Sequence, residues 1–300
     1  MSPVLDKTRE GTWLAILIVI AFQFGGYFVV PSAHFLDDLR SLEIATRGLV
    51  QPTLVNNLFV LPILCFVIFG IGRLRPPDVG WYASAIGPAL LVTAAVWIGC
   101  QVALALAVPV FNGQLVWHDA WAQFGLVVGG LLAFAATALS EETVFRGFLL
   151  PQFYVKASRR CRRPYALVLA LMCSQALFAF SHIHPKVLLE GPGGPDFYFN
   201  QLRLFVDGLL YAGVYLLTRN LFVCVGLHML YNQPTSLVQV SRGDAQSVWY
   251  VFVLIVLVTW PLARKFRAWR LAPNAREKAV RIAAEPLYGP TLSTERTAKG

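Results

Sequence analysis

An all-α, polytopic membrane bundle of about eight transmembrane helices is what this sequence predicts, and three observations carry the prediction. Hydrophobic residues make up 57% of the 300 residues and charged ones only 14%, against roughly 25% charged in soluble domains. Several apolar runs approach the roughly 20 residues that cross a bilayer. The basic residues sit beside those runs, on alternating sides.

The apolar segments lie at 12–30, 54–71, 87–110, 122–150, 165–180, 204–218, 221–231 and 247–262. The first follows Lys7 and Arg9. It is longer than the apolar region of a signal peptide and has a poor cleavage site near Ala33, so it reads as a spanning helix. The fourth, fifth and seventh carry polar positions that lower their hydropathy. The seventh is short and is expected to extend through Asn232.

Positive charge supports this order. Lys7, Arg9, Arg73, Arg75, the cluster Lys156, Arg159, Arg160, Arg162 and Arg163, then Arg219, and finally Arg264, Lys265, Arg267 and Arg270 fall in alternate connections. The opposite loops hold only Arg40, Arg47, Lys186, Arg203 and Arg242. The positive-inside rule therefore predicts both termini in the cytoplasm. The chain divides into a cytoplasmic N-terminus at 1–11, N-terminal transmembrane helices at 12–123, a core at 124–232, a last loop and helix at 233–268, and a flexible cytoplasmic tail at 269–300. Gly191-Pro192-Gly193-Gly194-Pro195 marks an irregular linker.

The net charge of +9 does not imply nucleic acid. Charge placed beside apolar runs sets topology or meets anionic headgroups, so membrane lipids are the expected partners. The five cysteines, Cys65, Cys100, Cys161, Cys173 and Cys224, form no CxxC pair. Neither a disulfide framework nor a cysteine metal site is indicated.

The chemistry concentrates in Ser140-Glu141-Glu142-Thr143-Val144-Phe145-Arg146, which follows sixteen uncharged residues at 124–139. An ionisable residue at membrane depth costs about 2.5–3.5 kcal/mol on insertion scales, so three together demand a reason. Glu142 and Arg146 are i,i+4 neighbours able to pair. Glu141 points about 100° away on the helix and has no partner within it, which makes it the candidate general base. A topological marker at a helix end is the bland reading; it is disfavoured because 147–150 continue the apolar run. Two further elements join it. Phe178 and His182 share a helix face one turn apart, as do His228 and Asn232. Amide hydrolysis needs a group that activates water and donors for the developing oxyanion, and this set contains both. His184 abuts Pro185, where a helix is expected to end, and is the weaker candidate. Asp207 is read as reaching water near the end of its helix, with a place in a substrate cavity as the alternative.

These motifs resemble the CPBP family of CAAX proteases and bacteriocin-processing enzymes. Glu141-Glu142 with Arg146 matches its EExxxR motif, Phe178 with His182 its FxxxH, and His228 with Asn232 its HxxxN. The likeness covers about a third of the chain and extends loosely to 73–81. It implies an all-helical intramembrane endopeptidase. By analogy, Glu141 and His182 would activate water, His228 and Asn232 would form the oxyanion hole, and Glu142, Arg146 and Phe178 would support the site. The substrate would be a membrane-associated peptide or protein, lipidated or hydrophobic.

The residues leave the metal question open. Glu141, His182 and His228 could supply a His₂Glu zinc set, yet no HExxH helix is present. Glu142 would then have to act as base while pairing Arg146. No cofactor is favoured, and zinc is the alternative. A non-catalytic binding or immunity protein with the same fold is the competing function. A proton-coupled transporter finds no support in an inverted repeat.

Overall fold

The computed structural model describes residues 5, 8–25, 33–111, 116–183, 195–233, 235–241 and 245–262. Their helices, in chain order, are α1 (Trp13–Gly25), α2 (Ala33–Ala45), α3 (Pro52–Ile71), α4 (Ala83–Phe111), α5 (Phe124–Ser158), α6 (Arg163–Phe180), α7 (Pro195–Thr218), α8 (Leu221–Asn232) and α9 (Ala245–Leu262). Among these residues no strand forms, and the one extended pairing is a bridge between Trp117 and Val238. The chain makes two compact units, Met1–Leu257 and Val258–Gly300. Only 258–262 of the second are described, and they end α9. The helices that build the candidate site belong to the first unit.

The helices are turned inside out relative to a soluble core. Leu90, Leu91, Ile98 and Leu106 of α4 and Phe59 and Phe66 of α3 are each more than half exposed. Only 17–33% of the most apolar window is buried in the helices long enough to cross a bilayer. Such side chains find their apolar surroundings in lipid, where a helix satisfies every backbone group internally. The protein is an all-α integral membrane bundle.

The count of spans is less simple than eight. Among the described residues five helices are long and apolar enough: Pro52–Ile71, Pro76–Ala107, Phe124–Ser158, Arg163–Phe180 and Ala245–Leu262. The stretches Trp13–Phe24 and Leu221–Asn232 are apolar but shorter. The run expected at 204–218 is the second half of a longer helix, α7, whose first half carries Asp196, Asn200, Gln201 and Arg203. The polar helix α2, with Asp37, Asp38 and Arg40 in its sequence, has no apolar run to announce it. The linker glycines at 191–194, His184, Pro185 and the tail at 269–300 lie outside the described residues.

Two π-helical stretches shape the bundle. The first ends α3 at Phe66–Ile71. The second, Thr143–Leu149, lies inside α5 and directly follows Glu142. Pro151 falls just after it, within the first two positions of the renewed α-helix Leu150–Ser158. A proline lacks an N–H that a helix start does not need, so α5 runs on to Ser158 instead of ending at Pro151.

α8 packs against both α4 and α5, while α6 packs against the C-terminal part of α5 and against α7. Polar bonds pin α3 to α5 just before the acidic pair. Asn57 donates to Thr137 Oγ1 at 2.9 Å and accepts from Ser140 Oγ at 3.0 Å. Close approach depends on small residues. A Cβ on Gly129 of α5 would lie 1.9 Å from the Gly48 carbonyl oxygen, whereas one on Gly87 of α4 meets nothing within 4 Å. Gly129→Ala is therefore expected to destabilise the protein by about 1–3 kcal/mol through overpacking. Gly87→Ala is expected to be neutral or mildly stabilising. Thermal unfolding of both variants in one detergent checks the contrast.

Candidate active site

Glu141 and Glu142 stand where the α-helical hydrogen bonding of α5 gives way to the π stretch. Consecutive helical side chains diverge, and these two enter different surroundings. Glu142 and Arg146 are sealed at 0% exposure, with Arg146 Nη1 donating to Glu142 Oε1 at 3.1 Å. Glu141 retains 22% exposure and faces a cavity.

Arg146 is held on several sides. Its second terminal nitrogen donates to the Gly208 carbonyl at 3.2 Å. Its guanidinium carbon lies 4.4 Å from the centre of the Phe178 ring and 5.3 Å from that of Tyr211, close enough for cation–π attraction. Gly208 lets α7 come this near, because a Cβ there would lie 2.8 Å from Gln175 Oε1 and 3.2 Å from the Phe178 ring.

The two histidines are each fixed through Nδ1. In His182, Nδ1 lies 2.8 Å from the Phe178 carbonyl. A carbonyl only accepts, so Nδ1 carries the hydrogen and neutral His182 presents a basic Nε2. In His228, Nδ1 lies 2.8 Å from Glu142 Oε1, and the same reasoning directs Nε2 outward. Tyr211 stacks on the His228 ring with centroids 4.8 Å apart and planes inclined by 27°. Both Nε2 atoms face Glu141, His182 at 4.0 Å from Oε1 and His228 at 3.8 Å from Oε2. Glu141 Oε2 is buried and has no hydrogen-bond partner.

These groups line a cavity of about 200 Å³ whose wall also includes Arg203, Asp207, Tyr231 and Asn232. The structure thus brings Glu141, His182, His228 and Asn232 to one cavity and places Glu142, Arg146 and Phe178 behind them. The expectation for Asp207 is corrected. It is 5% exposed and belongs to the cavity wall, because α7 extends well beyond the run at 204–218 and keeps this residue inside the bundle. Tyr211 had no motif to mark it. The available signal was spacing, since Asp207 and Tyr211 are one helical turn apart.

The depth of Glu141 and His182 is matched by the length of α5. Glu141 stands 17 residues before Ser158 (158 − 141), and His182 stands 19 beyond Arg163 (182 − 163). At about 1.5 Å per residue both lie a similar distance from the basic turn at 159–162. Trp81, preceded by the short turn Pro76–Val79, braces the π stretch by donating to Thr143 Oγ1 at 3.0 Å.

A metal fits this arrangement poorly. Among the described residues no three His, Cys, Asp or Glu side chains form a group able to hold an ion. Glu142, the neighbour of Glu141, is engaged by Arg146 and His228 through one oxygen.

The site is a carboxylate flanked by two imidazoles, with a buried ion pair behind it. Residues 123–233 match the family model described as Rce1-like, type II CAAX prenyl endopeptidase Rce1-like, which supports a CPBP-family intramembrane protease, an endopeptidase of the CAAX type in general terms. No curated protein and no solved structure matches the chain.

Removing Arg146 leaves Glu142 buried without its cation, a change that costs about 3–5 kcal/mol. Arg146→Met is expected to unfold at markedly lower temperature than wild type. The double variant Arg146→Met with Glu142→Gln is expected to regain much of the loss, which thermal melts in detergent will measure.

Proposed function

We propose that this chain is an intramembrane endopeptidase that hydrolyses a peptide bond in a hydrophobic or lipidated, membrane-associated substrate, using water activated by Glu141 and His182. The observation that carries the reading is the Glu141 carboxylate, facing a cavity between two imidazole Nε2 atoms at 3.8 and 4.0 Å with one oxygen lacking any hydrogen bond. A separation of 4.0 Å is too long for a direct bond. Two hydrogen bonds of about 2.8 Å meeting at roughly a right angle span it, so one water can bridge Glu141 and His182.

The steps follow from the donors. The bridging water attacks the scissile carbonyl carbon, and its proton passes to Glu141. The carbonyl oxygen becomes an oxyanion, met by the Asn232 amide and by His228. With Nδ1–H directed to Glu142 at 2.8 Å, it is the imidazolium form of His228 that offers the oxyanion a donor from Nε2. Collapse of the tetrahedral carbon breaks the C–N bond, and the proton held by Glu141 goes to the departing nitrogen. No metal enters these steps. Glu142 and Arg146 keep His228 in place, and Phe178 orients His182 through its carbonyl.

A site within the bilayer suits substrates that arrive there already anchored. The matched family's description names a CAAX prenyl endopeptidase, and prenylated CAAX tails are the substrates to try first. Both termini are proposed to face the cytoplasm. Cys161, exposed in the basic turn, is then expected to react with a membrane-impermeant maleimide only from the cytoplasmic side.

The decisive measurement compares wild type, Glu141→Ala and His182→Ala in detergent against quenched prenylated and unmodified hydrophobic peptides. Each variant is expected to lose about 10²–10⁴ of the wild-type rate. A chelator, with metal analysis of the same sample, is expected to leave the wild type active. Equal cleavage by all three proteins overturns the proposal, and tight binding without cleavage overturns it in favour of a binding protein.

A further inference from the structure

A second polar cluster borders the cavity and has no part in the hydrolytic steps. Asp207 of α7 accepts from the Tyr250 hydroxyl at 2.6 Å and from the Tyr231 hydroxyl at 3.4 Å, and the two hydroxyls lie 3.0 Å apart. Asp207 is 5% exposed, so these phenols provide solvation that water does not. Tyr250 belongs to α9, outside the matched segment 123–233. Gln246 of the same helix donates to the Tyr231 carbonyl at 3.3 Å. The Trp249 ring lies 4.9 Å from that of Tyr231 and the Tyr250 ring 5.5 Å from it. The first turns of α9 are thus built around the end of α8.

The connections close into a ring. His228 is bonded to Glu142, Glu142 to Arg146, and Arg146 to the Gly208 carbonyl. Gly208 adjoins Asp207, Asp207 is bonded to Tyr231, and Tyr231 stands one helical turn after His228 on α8. A helix gripped at one point can still roll about its axis. One gripped at two points a turn apart on neighbouring faces cannot. His228 is the first grip and Tyr231 the second, and Asn232 lies immediately beyond.

We propose that Asp207, with Tyr231 and Tyr250, is a positioning cluster that sets the rotation of α8 and so aims His228 Nε2 and Asn232 at the reacting carbonyl. The helix α9 is thereby part of the catalytic apparatus. This rests on the endopeptidase reading for its kinetic consequence but not for its structural one. The cluster acts on the oxyanion side of the cavity and leaves Glu141 and His182 untouched. Its loss therefore lowers turnover and leaves substrate affinity in place.

The test uses full-length Asp207→Ala, Asp207→Asn, Tyr231→Phe and Tyr250→Phe in detergent. Peptide kinetics are combined with ¹⁵N spectra of histidine-labelled protein, His228 being assigned by its substitution to Gln. Wild-type His228 is expected to hold the hydrogen on Nδ1 alone in its neutral form. Asp207→Ala and Tyr231→Phe are expected to lose that single tautomer and to lower kcat by about tenfold or more, with KM changed less than about twofold. Asp207→Asn keeps acceptor and shape and is expected to recover most of kcat. Should KM rise while kcat holds, Asp207 binds substrate instead and the proposal falls. It falls too if the His228 signals are the same in every folded variant. A wild type that cleaves nothing, yet whose His228 signals change in Asp207→Ala, defeats the endopeptidase reading and leaves the positioning cluster standing.

Discussion

The site depends on a buried ion pair. Glu142 and Arg146 are both removed from solvent, in a bundle whose outer surface is hydrocarbon-facing. Taking two charges out of water is costly, and their mutual attraction offsets that cost only when the remaining donors and acceptors are also engaged. Arg146 meets much of this condition through its two terminal nitrogens and two aromatic faces, and Glu142 through Oε1, while Arg146 Nε and Glu142 Oε2 stay buried without a hydrogen bond. The demands of the pair thus recruit α6, α7 and α8 around α5. The four helices gathered around this arginine and glutamate also supply the cavity with its side chains, except Gln246 of α9.

The π stretch at Thr143–Leu149 makes this possible in a helix that has to continue. It comes directly after the acidic pair, holds all seven of its residues inside the bundle and resets the hydrogen-bond register before Pro151. Because α5 then reaches Ser158, the carboxylate at Glu141 and the imidazole at His182 arrive at one depth from opposite directions. A helix that ended at Pro151 would leave them on the order of 10 Å apart along the membrane normal.

Much of this was legible in the sequence, for a physical reason. Charge inside an apolar run is improbable without function or pairing, so Glu141, Glu142 and Arg146 stood out. The i,i+4 relations Glu142 with Arg146, Phe178 with His182 and His228 with Asn232 are short-range and survive any tertiary arrangement. The features that stayed hidden were long-range or lacked an apolar signature. A π stretch has no distinct residue code, and the apolar run at 122–150 does not announce that α5 continues past Pro151. The polar helix α2 is invisible to hydropathy. Asp207 looked like a residue at a helix end because the apolar run began only three residues earlier, at Leu204. Tyr211 stacks on a histidine seventeen residues away in sequence (228 − 211), and spacing cannot reveal that.

The two adjacent glutamates show how one helix separates stability from chemistry. They are the same residue type at the same depth, and only the roughly 100° step between them distinguishes their environments. That step gives Glu142 an arginine and a histidine on Oε1 and leaves Glu141 facing a cavity. A reactive carboxylate in a low-dielectric site cannot also hold the fold together, since the interactions that stabilise its charge would remove its readiness to take a proton. On the proposed function, placing the structural acid next to the reactive one resolves the conflict. Glu142 anchors His228, and His228 with His182 completes the surroundings of Glu141.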